Sequence, residues 1–263
     1  MNIFAGIASI LITVLAAIYS AVILPFLQDY LKAWSDRHNR QREEIEAQRH
    51  KVNLTYLNPL RLWLEESYIR LREIAQTVDQ QDQVPALLAI ENQADISVQE
   101  AAWFNGEGCY LTSTCYLTAC LFFAIKQVRD NIPYLRLSRE SDTELMTLMF
   151  RVSQAFLQDL GIFYVIQPSI GNNLYLVAQA RLMTYREFCE LLQDGTQRVW
   201  FDRLISFYLE TGRGEKRDRI HAALQAIQAL SVFLDQHIGK GIAIEERIKA
   251  EGLWTSVVDL KKP

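Results

Sequence analysis

From Ile3 to Leu27 the chain reads IFAGIASILITVLAAIYSAVILPFL, without one charged side chain. At about 1.5 Å of rise per residue, a helix of this length can cross a hydrocarbon core about 30 Å thick. A buried helix of a soluble fold would normally keep a polar face, and only Ser9, Thr13, Tyr19 and Ser20 interrupt this run. A cleaved export signal is the other reading, and Ala16, Ala17, Ser20 and Ala21 imitate its small-residue cleavage site. However, no basic side chain precedes Ile3, and the run is longer than the apolar core of such signals. The pattern therefore predicts a permanent single-pass anchor over residues 1–28, with the lipid bilayer as the first partner.

The flanks predict its direction. Lys32, Arg37, Arg40 and Arg42 follow the run closely, and cationic residues beside a span prefer the cytoplasmic side. This places the N-terminus outside and the main domain in the cytoplasm, at the plasma (inner) membrane. Cysteine usage agrees: Cys109, Cys115, Cys120 and Cys189 lie in apolar stretches, without the spaced framework of a small secreted fold, and are expected to be free and mostly buried.

For the rest of the chain, 50% hydrophobic and 22% charged residues is a globular balance, far from that of a disordered segment. A formal net charge of −4 argues against a nucleic-acid binder, whose phosphate-facing surface is usually basic. Eleven glycines and six prolines are too few for the turns of an all-β fold. The expected class is all-α: a single N-terminal transmembrane helix, a juxtamembrane stalk helix over 29–52, a helical cytoplasmic bundle over 53–240 around a buried central helix, and a tail over 241–263.

A second uncharged run, Gly108 to Ile125, is eighteen residues long and so marginally able to span. Threonines, a serine and tyrosines dilute it, and a span here would put Lys126, Arg129, Arg136 and Arg139 on the wrong side. It reads as the central helix of the bundle, with a second span or a re-entrant piece as the alternatives. Between the two runs, Leu27, Leu31, Trp34, His38, Gln41, Ile45, Gln48 and Val52 follow 4-3 spacing, the period of a coiled-coil seam. Arg42, Glu43, Glu44 and Glu46 fill much of the remaining surface. The simple reading is a solvated stalk, and the sharper one is a weak parallel homodimer along Leu31, Trp34, His38 and Ile45.

Local signals set the remaining helices. Asn58-Pro59 looks like an N-cap followed by proline, and Leu60, Trp63, Leu64, Leu71, Ile74 and Val78 then mark one core face. Arg61 with Glu65, and Glu66 with Arg70, have i,i+4 spacing. Residues 79–85 read as a loop, and Ala86 to Ala94 as a helix. Ser141 to Glu144 and Thr184 to Glu187 are capping-box patterns, opening helices that end near Gly161 and Gly195. Arg198–Thr211 and Glu215–Ile238 complete the set, with Gly212 and Gly239 placed for left-handed C-caps and Leu224, Ile227, Leu230, Phe233 and Leu234 facing the core. Residues 162–180 read as a hairpin or a helix pair, with a short helix after Pro168 favoured. The tail carries a short helical pattern at Ile244–Ala250.

Chemical signatures are sparse. His38, His50, His221 and His237 have no histidine four residues away, and Asp218 with His221 is the lone Asp-x-x-His, so no metal or cofactor is expected. Gly212-Arg213-Gly214 and Gly239-Lys240-Gly241 lack the phosphate-cradling spacing, and no Gly-x-Ser-x-Gly elbow occurs. Cys109 and Cys120 share a helix face too apolar to stabilise a thiolate. The strongest remaining candidate is the turn of Trp103, Asn105, Gly106 and Gly108: its N–H groups could meet an anion and its aromatics could wall a ligand, although Glu107 would repel an anion. Two function classes follow. One is a membrane-anchored interaction or scaffold module with a protein partner; the other is a membrane-associated enzyme with its pocket near Trp103–Gly108. An exposed apolar patch favours the first, and a concave pocket of convergent polar groups the second.

Overall fold

The computed structural model describes residues 24–135 and 139–238, and these are mostly helical, an all-α fold. The residues before Leu24, which hold most of the expected anchor, lie outside the described set, as do Gly239 and the tail with its expected helix at Ile244–Ala250. The chain divides into two compact units, residues 1–51 and residues 52–263. Helix α1 (Leu24–Val52) supplies the described part of the first, and every side chain described there is exposed.

In the second unit a π-helical turn at Asn53–Leu57 leads straight into α2 (Asn58–Gln81). The expected Asn58 cap is not formed: the preceding Leu57 is already helical (φ −83°, ψ −36°) and no side-chain cap is made. The wider π turn explains how Pro59 is tolerated in a chain that arrives helical, since its missing N–H falls where the regular ladder is interrupted. The expected core face is present, with Leu60, Leu64, Leu71, Ile74 and Val78 all buried. The expected helix at Ala86–Ala94 is absent. Short 3-10 turns at Pro85–Leu87 and Gln93–Val98 stand there instead, the second closed by a capping box between Asn92 and Asp95.

Helix α3 (Ala101–Asn105) and a turn precede α4 (Cys109–Leu135), the second uncharged run, which lies in the middle of the bundle. It packs against α2, against α6 (Gln167–Asn172) and against α9 (Asp202–Gly212). Cys115, Ala119, Cys120, Leu121 and Val128 on it are fully buried. The approach of α6 is closest at Gly171, where a Cβ would come within 2.4 Å of the Phe123 backbone nitrogen. Helix α5 (Arg139–Leu157) starts before Ser141, so the expected capping box there falls inside the helix. The Thr184–Glu187 box does form, at the head of α7 (Tyr185–Gln193).

Residues 162–180 hold the favoured short helix, which begins at Gln167 and so includes Pro168, while the hairpin forms further on than expected, its second strand lying beyond residue 180 and residues 162–166 taking no part in it. The short helix α6 is followed by strands β1 (Tyr175–Leu176) and β2 (Arg181–Leu182), antiparallel with Tyr175 opposite Leu182. Helix α8 (Gly195–Arg198) precedes α9, and α10 (Asp218–Ile238) packs on both α5 and α2. Gly212 is not a left-handed cap; the positive φ, +79°, belongs to Gly214. Arg61 reaches Asp235 of α10 at 3.1 Å, and Arg70 donates to Tyr110 O, Ser113 Oγ and Thr114 Oγ1 of α4 at 3.0–3.2 Å. These two arginines therefore tie α2 to its neighbours across the bundle as well as serving its own surface.

Candidate functional site

The turn between α3 and α4 is a packed elbow. Trp103 O accepts from the N–H groups of both Gly106 and Gly108, at 3.1 and 2.9 Å, and Gly106 O accepts from Cys109 N–H at 3.2 Å. Three of the N–H groups that could have met an anion are thus engaged within the turn. The Trp103 ring lies over Gly108, where a Cβ would approach it to 2.2 Å, so only glycine fits there. Phe104 stands edge-on to Trp103 at 5.1 Å and is buried, whereas Asn105, Gly106 and Glu107 face solvent. Of the four candidates, Trp103 and Gly108 are brought together by packing, and Asn105 and Gly106 lie on the outer side of the turn.

Behind the elbow the hydroxyls of α4 and α7 meet. Tyr185 OH donates to Phe104 O at 2.9 Å and lies 2.6 Å from Thr112 Oγ1, while Thr112 itself bonds Gly108 O at 2.8 Å. Tyr116 OH donates to Met183 O at 2.7 Å, and its ring sits edge-on to those of Trp63 and Tyr185. Burial raises the Tyr185 phenol above its ordinary value, and burial pushes the Cys189 thiol up to about 11. Both groups are therefore neutral at physiological pH and suit packing better than nucleophilic chemistry. Tyr185 had no signal in the sequence beyond its place in the first turn of a capping-box helix. Cys115, Cys120 and Cys189 are free and buried, and Cys109 is free and half-buried.

A charge cluster surrounds Glu210 on α9. Its carboxylate lies 2.8 Å from Arg219, 3.1 Å from Lys216 and 3.3 Å from Arg203. Arg219 is fully buried, lies over the Phe207 ring at 3.8 Å and donates to Phe207 O and Thr211 Oγ1. Burial raises Glu210, but the hydrogen bonds from Arg219 and Lys216 outweigh it and hold the carboxyl below its ordinary value; burial lowers Arg219. The cluster fastens the connection between α9 and α10. Among the described residues no group of three or more His, Cys, Asp or Glu side chains is placed to hold a metal ion. Asp218 and His221 do not combine, since His221 pairs with Asp79 of α2 at 3.1 Å.

Two surface features stand out among the described residues. An open groove of about 560 Å³ between α5 and α10 has a floor of Ala155, Ala222, Ala226 and Ala229. Glutamines line its walls, and its charged lining residue is Arg151, so nothing in it converges on a reacting group. The other feature is an apolar rim: Leu160, Phe163, Tyr164 and Val165 are 46–71% exposed, and Val199 and Trp200 are 50% and 57% exposed. Arg203, three residues after Trp200, ties the start of α9 to the first of these segments, donating from Nε to Gly161 O at 2.8 Å and from Nη2 to Leu160 O. Hydrophobic periodicity could not flag this rim, because these residues sit in turns between helices. The seam residues Leu31, Trp34, His38 and Ile45 are all exposed on α1. No family model, curated protein or solved structure matches the chain.

Proposed function

We propose that the chain is a single-pass, membrane-anchored helical module that presents the domain over 53–240 in the cytoplasm and acts there as a protein-interaction scaffold. The anchor and its orientation rest on the uncharged run Ile3–Leu27 and the cationic residues that follow it. The interaction role rests on one observation, the apolar rim of Leu160, Phe163–Val165, Val199 and Trp200. Soluble surfaces rarely gather so many exposed large apolar side chains except where a partner covers them. Trp and Tyr among them are the residue types that most often anchor protein interfaces. The elbow at Trp103, the site favoured by an enzymatic reading, is filled by its own tryptophan.

A photo-reactive phenylalanine analogue placed at Phe163 or Trp200 of the full chain in native membranes tests the reading. Discrete protein adducts are expected at both positions and absent at exposed Asn105. Adducts to lipid alone, or equal labelling at all three positions, would reject the interaction role. Release of the intact chain by alkaline carbonate would reject the anchor.

A further inference from the structure

Every described side chain of α1 from Tyr30 to Lys51 is exposed, and that includes Tyr30, Leu31 and Trp34 at 60–62% and Ile45 at 51%. A lone polar helix would have no reason to carry these side chains, and their spacing is not random. Leu31, Trp34, His38, Gln41 and Ile45 follow 4-3 steps, so they form one stripe that drifts about 20° per seven residues along a straight helix. Such a drift is removed when two like helices wind around each other left-handedly, and a stripe of this period is complementary to a copy of itself. Trp34 and His38 stack face to face along the stripe, with centroids 5.5 Å apart and planes 5° apart, which gives it a continuous flat surface. The stripe ends before Val52, which is buried in the second unit.

We propose that two copies of this chain pair in parallel along α1 through Leu31, Trp34, His38, Gln41 and Ile45. The parallel direction rests on the membrane tether proposed above, which would bring both copies out of the bilayer by the same end. His38 and Gln41 within the stripe make the pairing weak, and confinement to a membrane raises the effective concentration at which it operates. The register also contains a flaw that serves as its signature. With Leu31, His38 and Ile45 at a positions, Arg37 takes a g position and Arg42 an e position, so a parallel pair sets Arg37 of one copy against Arg42 of the other. Like charges there oppose association, and reversing one of them should strengthen it.

The test is oxidative crosslinking of the full chain in native membranes. Ile45→Cys should give a disulfide dimer several-fold more readily than Glu43→Cys, which lies on the opposite face. Adding Arg37→Glu or Arg42→Glu to Ile45→Cys should raise the dimer fraction, and adding both should return it toward the parent level. Equal crosslinking at 43 and 45, or charge reversals that do not follow this order, would overturn the pairing. Carbonate extraction of the same membranes reports separately on the tether: a chain that washes off fails that reading, and the crosslinking pattern still decides the pairing.

Discussion

Helices α1 and α4 are nearly equal in length, 29 and 27 residues, and opposite in what surrounds them. From Tyr30 to Lys51 the described side chains of α1 all meet solvent, while most of α4 is packed under α2, α6 and α9. In α4 the buried hydroxyls each bond back to the carbonyl four residues earlier: Thr112 to Gly108 O, Thr114 to Tyr110 O and Thr118 to Thr114 O, at 2.6–2.9 Å. By length and composition α4 from Cys109 to Asn131 could also cross a membrane. What differs from a lipid-facing span is its set of polar partners on other elements, where Arg70 reaches the hydroxyls of Ser113 and Thr114, Tyr185 that of Thr112 and Tyr208 that of Thr118. An apolar run fixes only that a helix must be covered; the groups aimed at its polar atoms show what covers it.

The sharpest way to break the comparison is to remove packing from α4. Phe122 is buried and stands edge-on to Phe156 of α5 at 5.0 Å. Phe122→Ala should destabilise the second unit by about 3–5 kcal/mol, through lost burial and the cavity left behind. Urea unfolding in detergent, followed by tryptophan fluorescence, would measure it. A loss under 1 kcal/mol would mean that α4 is not the packed centre.

A smaller effect tests the polar partners. Thr118 Oγ1 lies 2.5 Å from Tyr208 OH, and both groups are buried. Thr118→Val strands the phenol and should destabilise by about 1–3 kcal/mol, and adding Tyr208→Phe should recover part of that, since removing both partners leaves no unpaired group. The double-mutant cycle fails if the two losses simply add.

Much of this arrangement was legible in the sequence, and the misses have a common cause. The faces of α2 and α10 and the Thr184–Glu187 box follow from spacing along one helix, and all appear as expected. Asn58 and Ser141 fail as caps because the chain is already helical ahead of each, and Gly212 because the helix runs through it and the positive φ comes two residues later, at Gly214; no local pattern records that. The candidate turn was found from its composition, but its filling by Trp103 depends on a ring folding back over Gly108. The Arg219–Glu210 pair is nine residues apart on two helices, and the apolar rim lies in turns. Neither has a period to detect.

Acid should act on the head of α7 more gently than either substitution acts on the core. Glu187 accepts two hydrogen bonds from Arg181, each 2.7 Å, and another from Thr184 N–H, and these hold its carboxyl down at about 2. Its lowered pKa contributes stability that is present above the ordinary glutamate value near 4.3 and is lost as pH falls from there through about 2. Asp194, held at about 2 by Thr196 and Gln197, loses its contribution between the ordinary aspartate value near 3.9 and about 2. Glu187→Gln should therefore flatten, without abolishing, the fall in melting temperature between pH 5 and pH 2. An unchanged slope would remove the ion pair from the account.

The smallest expected effect sharpens the comparison from the other side. Ile45 is apolar yet 51% exposed, so Ile45→Ser takes little surface out of contact within its own chain, and unfolding of the second unit should shift by no more than about 0.5 kcal/mol. The same substitution should lower self-crosslinking in membranes from a cysteine placed at Leu31, because both positions lie on one stripe. An apolar residue whose loss spares the fold and weakens association marks a surface meant for another helix. If unfolding shifted by as much as in Phe122→Ala, α1 would be part of the core, and the contrast with α4 would disappear.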